Sequence, residues 1–251
     1  MEKYLDCGNS MCGFARIRCP DCGAERLLMF SCKTRGFCPS CHAKRREEWG
    51  EWMRESLVWD VPHRQVVFTV PKMLRVFFRY RRTLLSALCL CVVRALLQYL
   101  STVTGLELMT GIVTVIQTFG SKVNFHPHIH VLITEGGKDT DGVFRRVSHF
   151  DDVLIAEFFS REVFSLLLQE HLISLQLVQK ILRWRHTGFN VHSKVRAKTK
   201  REAKRLGKYM IRPLLALLHL SFDEKEGRVS YQCGKDSQKP ETLKPWLPDS
   251  E

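Results

Sequence analysis

Residues 124–134, NFHPHIHVLIT, set His126, His128 and His130 at strict two-residue spacing and then continue as a β-branched, apolar run. Successive side chains of a β-strand point to opposite faces. A strand here therefore carries the imidazoles on one side and Ile129, Val131 and Ile133 on the other. The apolar side demands a core, whereas a row of imidazoles has no use inside one and points to a ligand. A His-x-His pair on a strand offers two ring nitrogens to a divalent metal. A solvated histidine face is the bland alternative; the apolar run beyond His130 and the polar residues nearby argue for metal. Imidazole with oxygen donors admits Mn2+ or Mg2+, and also accepts Zn2+ or Ni2+.

The segment GIVTVIQTF, 111–119, reads as the hairpin partner of the histidine strand across the turn GSKVN. Centring that turn between Ser121 and Asn124 sets Gln117 opposite His128, where cross-strand Cβ atoms lie about 5 Å apart. Gln117 and His126 are thus further candidate ligands, although a one-residue slip turns Gln117 to the other face. HRQVVFTV, 63–70, is a third strand stopped by Pro71, and GVFRRV a fourth. Helical patterns run from Leu74 to Leu100, with a break near Arg82, and from Asp152 to Trp184. The mixture predicts an α+β fold: a small zinc-ribbon head, then a domain with a central antiparallel sheet flanked by helices. TLLSALCLCVVRALLQYL, 83–100, is the best membrane candidate. Arg94 within a spanning helix costs about 3 kcal/mol, so a buried core helix and no membrane partner are expected.

Lysine plus arginine outnumber aspartate plus glutamate 39 to 26, a formal charge of +13, which calls for a polyanionic partner. The N-terminus lacks the apolar stretch of a secretory signal, so a cytoplasmic protein is expected. Its ten cysteines are then metal ligands or inert thiols rather than disulfides. Residues 19–41, CPDCGAERLLMFSCKTRGFCPSC, hold two C-x2-C pairs fifteen residues apart. That spacing suits one structural Zn2+ on Cys19, Cys22, Cys38 and Cys41, with RLLMF in a hairpin that brings the two knuckles together. Cys32 could replace a neighbour but has no C-x2-C partner, and Cys7 with Cys12 are too few for a second site. The basic stretch HAKRREEWGEW that follows suits a nucleic-acid grip or a protein contact.

Residues 194–212, KVRAKTKREAKRLGKYMIR, carry nine lysines and arginines against one glutamate. On a helix, Ala203, Leu206 and Met210 form an apolar stripe, and Arg201, Arg205, Lys208 and Arg212 a basic face. Tyr209 falls on the seam, either capping the edge of a core or turning its hydroxyl to bound phosphates.

CPDC…SCKTRGFCPSC, VVFTVPK, IQTFGSKVNFHPHIHVLITEGG, RHTGFNVHSKVR and KYMIRP, in that order, make the chain resemble the bacterial rolling-circle transposases of the IS91 type. Those proteins join a zinc-binding head to an HUH (His-hydrophobe-His) nuclease domain. The resemblance implies a zinc domain over 1–45 and a catalytic domain over 60–232, with 233–251 a disordered or truncated tail. It implies that His128 and His130 hold a catalytic Mg2+ or Mn2+ and that Tyr209 attacks single-stranded DNA at the element's ends. It also implies that Arg201, Lys204, Arg205, Lys208 and Arg212 bind the DNA backbone, with Trp184 or Phe189 stacking on bases. No second tyrosine lies a turn from Tyr209, where Arg205 and Pro213 stand, so one nucleophile is expected. A shortened copy working at the nucleoid fits the ends of the chain. A non-catalytic zinc-ribbon DNA-binding protein and a metallohydrolase using metal-bound water remain the alternatives.

Overall fold

The computed structural model describes residues 5–33, 38–120, 124–213, 220–223, 225, 228–232 and 241–242. The chain divides into two compact units, Met1–Trp52 with Arg212–Glu251, and Met53–Ile211. In the first, β1 (Phe14–Arg18) and β2 (Glu25–Met29) form an antiparallel hairpin running from the pair Phe14–Met29 to the pair Arg18–Glu25. The hairpin turns on the first cysteine pair. The Cys19 N–H donates to Ala24 O at 2.8 Å, and Gly23 takes φ +68°, a left-handed conformation that favours glycine. Helix α1 (Pro39–Trp52) begins inside the second pair, with proline at its first position, where no N–H is needed.

The second unit is built on β3 (His63–Thr69), α2 (Arg75–Tyr80), α3 (Leu84–Thr104), β4 (Ile112–Phe119) and β5 (Phe125–Thr134). The ribbon β6 (Gly136–Lys138) and β7 (Phe144–Arg146) follows, then α4 (Asp152–Gln169), α5 (Leu175–Leu182), β8 (Asn190–Ala197) and α6 (Lys200–Met210). Its main sheet has the order β4-β5-β3-β8, every neighbour antiparallel, so the histidine strand is internal. One face is the core: Val66, Phe68, Ile129, Val131 and Ile133 pack with the buried residues of α3 and α4. Among the described residues α3 alone is long and apolar enough to cross a membrane. It buries Leu88, Val92, Leu96 and Tyr99 in this core instead. The Tyr99 hydroxyl donates to His149 O and accepts from the Asp151 N–H, at 3.1 and 3.0 Å, which fixes the start of α4.

Pro127 sits inside β5 without harm. The pairing with β3 stops at His128, and the pairing with β4 shifts register between Gln117 and Phe119, so the missing N–H falls where no ladder needs it. GVFRRV does form a strand, but in the separate β6-β7 ribbon. Two expectations are corrected. The basic helix starts at Lys200, not residue 194, because 190–197 alternate as an edge strand with Val191, Ser193 and Ala197 turned inward. Thr199 caps the helix by accepting from the Glu202 N–H, and Glu202 reaches back to the Lys198 N–H. Phe189 is a core residue, with its ring centroid 5.6 Å from Phe159 and 5.3 Å from Phe164, so it cannot stack on a base. In the first unit, β9 (Leu220–Asp223), β10 (Arg228–Tyr231) and β11 (Glu241–Thr242) make a small antiparallel sheet. The rest of the expected tail, 233–240 and 243–251, lies outside the described residues.

At the end of β5, Glu135 is fully buried and receives Arg64 and Arg196 through hydrogen-bonded ion pairs, with Arg146 at 3.7 Å. Arg64 also donates to Ser193 O and Ser148 O, tying β3 to β8 and to the loop before α4. Removing the carboxylate charge strands the buried Arg64 guanidinium. Glu135→Gln is therefore expected to lose about 3–5 kcal/mol of stability, read as a lower denaturant midpoint with an unchanged slope.

Candidate active site and metal centre

The sheet's second face gathers the candidate site residues. His126, His128 and His130 line it along β5, with ring centroids 5.3 Å and then 4.9 Å apart. Gln117 pairs directly with His128 across β4, the register expected from the turn. From β3, Gln65 and Val67 pair with Leu132 and His130 and share this face. A Cβ at Gly120 would lie 2.5 Å from Asn124 Oδ1 and 3.3 Å from His126 Nδ1, so a larger residue there would push the Asn124 side chain aside.

Helix α6 lies over the histidine face and buries Ala203, Gly207 and Met210, while Leu206 is half-buried. Its C-terminus is anchored by one bond: Gln117 Nε2 donates to Met210 O at 2.6 Å, satisfying a terminal carbonyl of the helix. The anchor fixes the residue before it, Tyr209, whose ring meets His130 edge-on, with centroids 6.0 Å apart and planes at 89°. Tyr209 is 48% exposed, so its ring is held at the site while solvent and ligands can reach it. On the outer side of α6, Arg201, Lys204, Arg205 and Lys208 line a shallow groove with Thr199 and Glu202. Arg212 follows α6 in the chain and belongs to the other unit.

The donor set fits a divalent cation. His128 Nδ1 lies 2.9 Å from His126 O, a carbonyl that can only accept, so the proton sits on Nδ1 and the lone pair on Nε2. Gln117 Oε1 and His126 Nε2 are buried with no hydrogen-bond partner among the described residues. Burial, with Arg75 and His128 nearby, pulls the His126 pKa below the ordinary imidazole value and favours the neutral form that ligates metal. His130 Nδ1 lies 3.1 Å from Gln65 Nε2, a buried contact that motif reading missed. The available signal was a glutamine on the opposite face of β3 from Val66 and Phe68.

In the head, Cys7, Cys32, Cys38 and Cys41 gather with all four sulfurs within 4.8 Å of one another. Zn–S bonds of about 2.3 Å in a tetrahedron set sulfurs ~3.8 Å apart; Cys7–Cys41 and Cys32–Cys41 stand at 3.5 and 3.6 Å. The Cys32 N–H pulls the Cys7 thiol down, but the crowding sulfurs of Cys38 and Cys41 outweigh it and push the pKa up to about 12. A cation at the centre removes that resistance to shared negative charge, so the set suits Zn2+ bound with loss of protons. The structure thus gathers Cys7 and Cys32, rather than Cys19 and Cys22, with Cys38 and Cys41. Cys19 and Cys22 sit at the closed tip of the hairpin, about five residues or ~17 Å from its open end, where Gly8 and Gly13 bond to Phe30 and bring Cys7 towards Cys32.

Residues 1–70 match the family described as "Transposase zinc-binding domain", and residues 111–245 match that described as "Putative transposase". The chain belongs to the IS91-type transposase family. It is similar to "Transposase for insertion sequence element IS801" of Pseudomonas savastanoi pv. phaseolicola, 34% identical over 156 residues, 61% of this chain and 37% of that protein. It is also similar to "Putative transposase y4qJ" of Sinorhizobium fredii, 30% identical over 128 residues, 49% of this chain and 31% of that protein. The chain thus spans roughly a third of the length of these relatives, 37% and 31%. No solved structure matches it.

The two cysteine sets separate cleanly by experiment. Elemental analysis of the purified IS91-type protein should give one zinc per chain, and Cys7→Ser and Cys32→Ser should each lose it and unfold the head. Cys19→Ser should keep one zinc per chain. Loss of that zinc from Cys19→Ser, with retention in Cys7→Ser, would restore the spacing-based set.

Proposed function

We propose that this chain nicks and rejoins single-stranded DNA at the ends of an insertion element through a covalent phosphotyrosine on Tyr209. His128 and His130 would hold the divalent cation, with Gln117 Oε1 and His126 Nε2 as the further donors. The observation that carries the reading is the edge-on approach of Tyr209 to His130 on the face that also bears His128. Mn2+ or Mg2+ bound there supplies Lewis acidity at the scissile phosphate, where negative charge builds up in the transition state.

The protein's own groups do the rest. Tyr209 Oη bonds to phosphorus as the P–O3′ bond breaks, the phenolic proton is lost, and the departing 3′ oxygen takes up a proton. The 5′ side of the DNA stays on the tyrosine. Because the ester keeps the bond energy, the 3′-hydroxyl can reverse the step without ATP. Arg201, Lys204, Arg205 and Lys208 neutralise backbone phosphates along α6, and Arg212 is a further phosphate-binding candidate. Trp184, 42% exposed, is available to stack on an unpaired base. Arg205, one turn before Tyr209, occupies the position a second nucleophile would need and holds phosphate instead. The zinc head is structural, and the protein works in the cytoplasm on nucleoid DNA.

Tyr209→Phe should bind single-stranded DNA as the wild type does and form no covalent adduct, whereas Tyr231→Phe should still form one. Replacing both His128 and His130 by alanine should abolish nicking in Mn2+ and leave DNA binding largely intact. Nicking at the wild-type rate by that double variant would remove the metal from the reading. An adduct persisting in Tyr209→Phe would remove the nucleophile.

A further inference from the structure

Gln65 stands on β3 at a position where a sheet interior ordinarily takes an apolar side chain, and it is only 5% exposed. A buried amide is costly unless bonded, and the bond Gln65 makes is to His130 Nδ1, at 3.1 Å. The neighbouring edge strand is bulged at this level: Gln65 pairs with Val195 but Val67 with His192, an irregularity of the kind that re-aims side chains next to active sites.

Which nitrogen of an imidazole is protonated follows from what the other nitrogen meets. For His128 the partner is a carbonyl, so the outcome has only one form. For His130 the partner is an amide, whose oxygen and nitrogen exchange places by a half-turn of the terminal group. With Oε1 towards the ring, Nδ1 carries the proton and the Nε2 lone pair is presented as it is in His128. With Nε2 towards the ring, the proton moves to the imidazole's Nε2, and only one of the two histidines can ligate.

The amide places Nε2 towards the ring, and a half-turn puts Oε1 there instead; we propose that Gln65 is the positioning residue of His130, turning Oε1 to accept from its Nδ1–H so that His128 and His130 together offer two ring lone pairs to one divalent cation. The inference rests on the metal reading of the histidine face and adds a residue that decides when the pair chelates. A carboxylate at position 65 can only accept, so Gln65→Glu locks the chelating form. Gln65→Met keeps the volume and removes the acceptor.

Two measurements on the full chain test this. In the metal-free protein, long-range proton–nitrogen NMR of the imidazoles should show His130 with its proton on Nδ1 in Gln65→Glu and on Nε2 in Gln65→Met. Titration with Mn2+ should give Gln65→Glu an affinity equal to or tighter than wild type, and Gln65→Met one that is 10–100-fold weaker, with His128 unchanged in both spectra. Wild-type Mn2+ affinity in Gln65→Met, or one tautomer of His130 shared by both variants, would overturn the proposal. Thermal melting shows whether Gln65→Met folds; if it does not, the Gln65→Glu spectrum still decides, since Nε2 protonation there contradicts the inference. The spectrum needs neither metal nor DNA. A failure of the nuclease reading would therefore leave the tautomer result standing, and a failure of the tautomer result would leave the nuclease reading standing.

Discussion

The two-residue pleat of β5 is the constraint on which the second unit depends. Because the strand is internal, one of its faces must be dry, and Ile129, Val131 and Ile133 meet that need together with Val66 and Phe68. The same pleat delivers His126, His128 and His130 to the opposite side with no freedom to drift. Core packing and site geometry are therefore one requirement. Whatever holds the register of the apolar residues also sets the ring centroids of His128 and His130 4.9 Å apart.

A strand alone would leave the imidazoles facing water. Helix α6 closes over them, and Gln117 holds its end through a single amide–carbonyl bond to Met210. That bond ties the nucleophile candidate to the hairpin that carries the ligand candidates, so Tyr209 and His130 are positioned by one local piece of structure. The amide has two ends: Nε2 anchors the helix, and Oε1 stays available on the histidine side. In the proposed reaction this would join the basic helix, as the DNA-binding element, to the face that would cut.

Legibility in the sequence varied with the kind of signal. The histidine face and the Gln117–His128 pairing could be read because alternation and a short turn leave few registers. The apolar helix α3 could be assigned to a core because Arg94 and Gln98 argue against lipid. Which cysteines cluster could not be read from spacing alone. A C-x2-C pair announces a chelating turn, but which sulfurs meet depends on where the hairpin folds, and it folds on Cys19–Ala24 rather than between the knuckles. Strand β8 was hidden because Lys194 and Arg196 stand between its buried positions, so charge masked a half-buried edge as the start of a basic helix. Gln65 gave no motif. Its meaning lies in a contact with a ring 65 positions away in the chain.

The most direct test of the account is where DNA becomes attached. Single-stranded DNA from the element's end, with sulfur replacing the 3′ bridging oxygen at the scissile phosphate so that the leaving group cannot return, should trap the protein in Mn2+. Digestion and peptide mass analysis should then find the nucleotide on the peptide containing Tyr209, linked through a 5′ phosphate. Cleavage with no protein-bound nucleotide would mean that water, not tyrosine, is the nucleophile, and attachment at any other residue would contradict the pairing of Tyr209 with the histidine face.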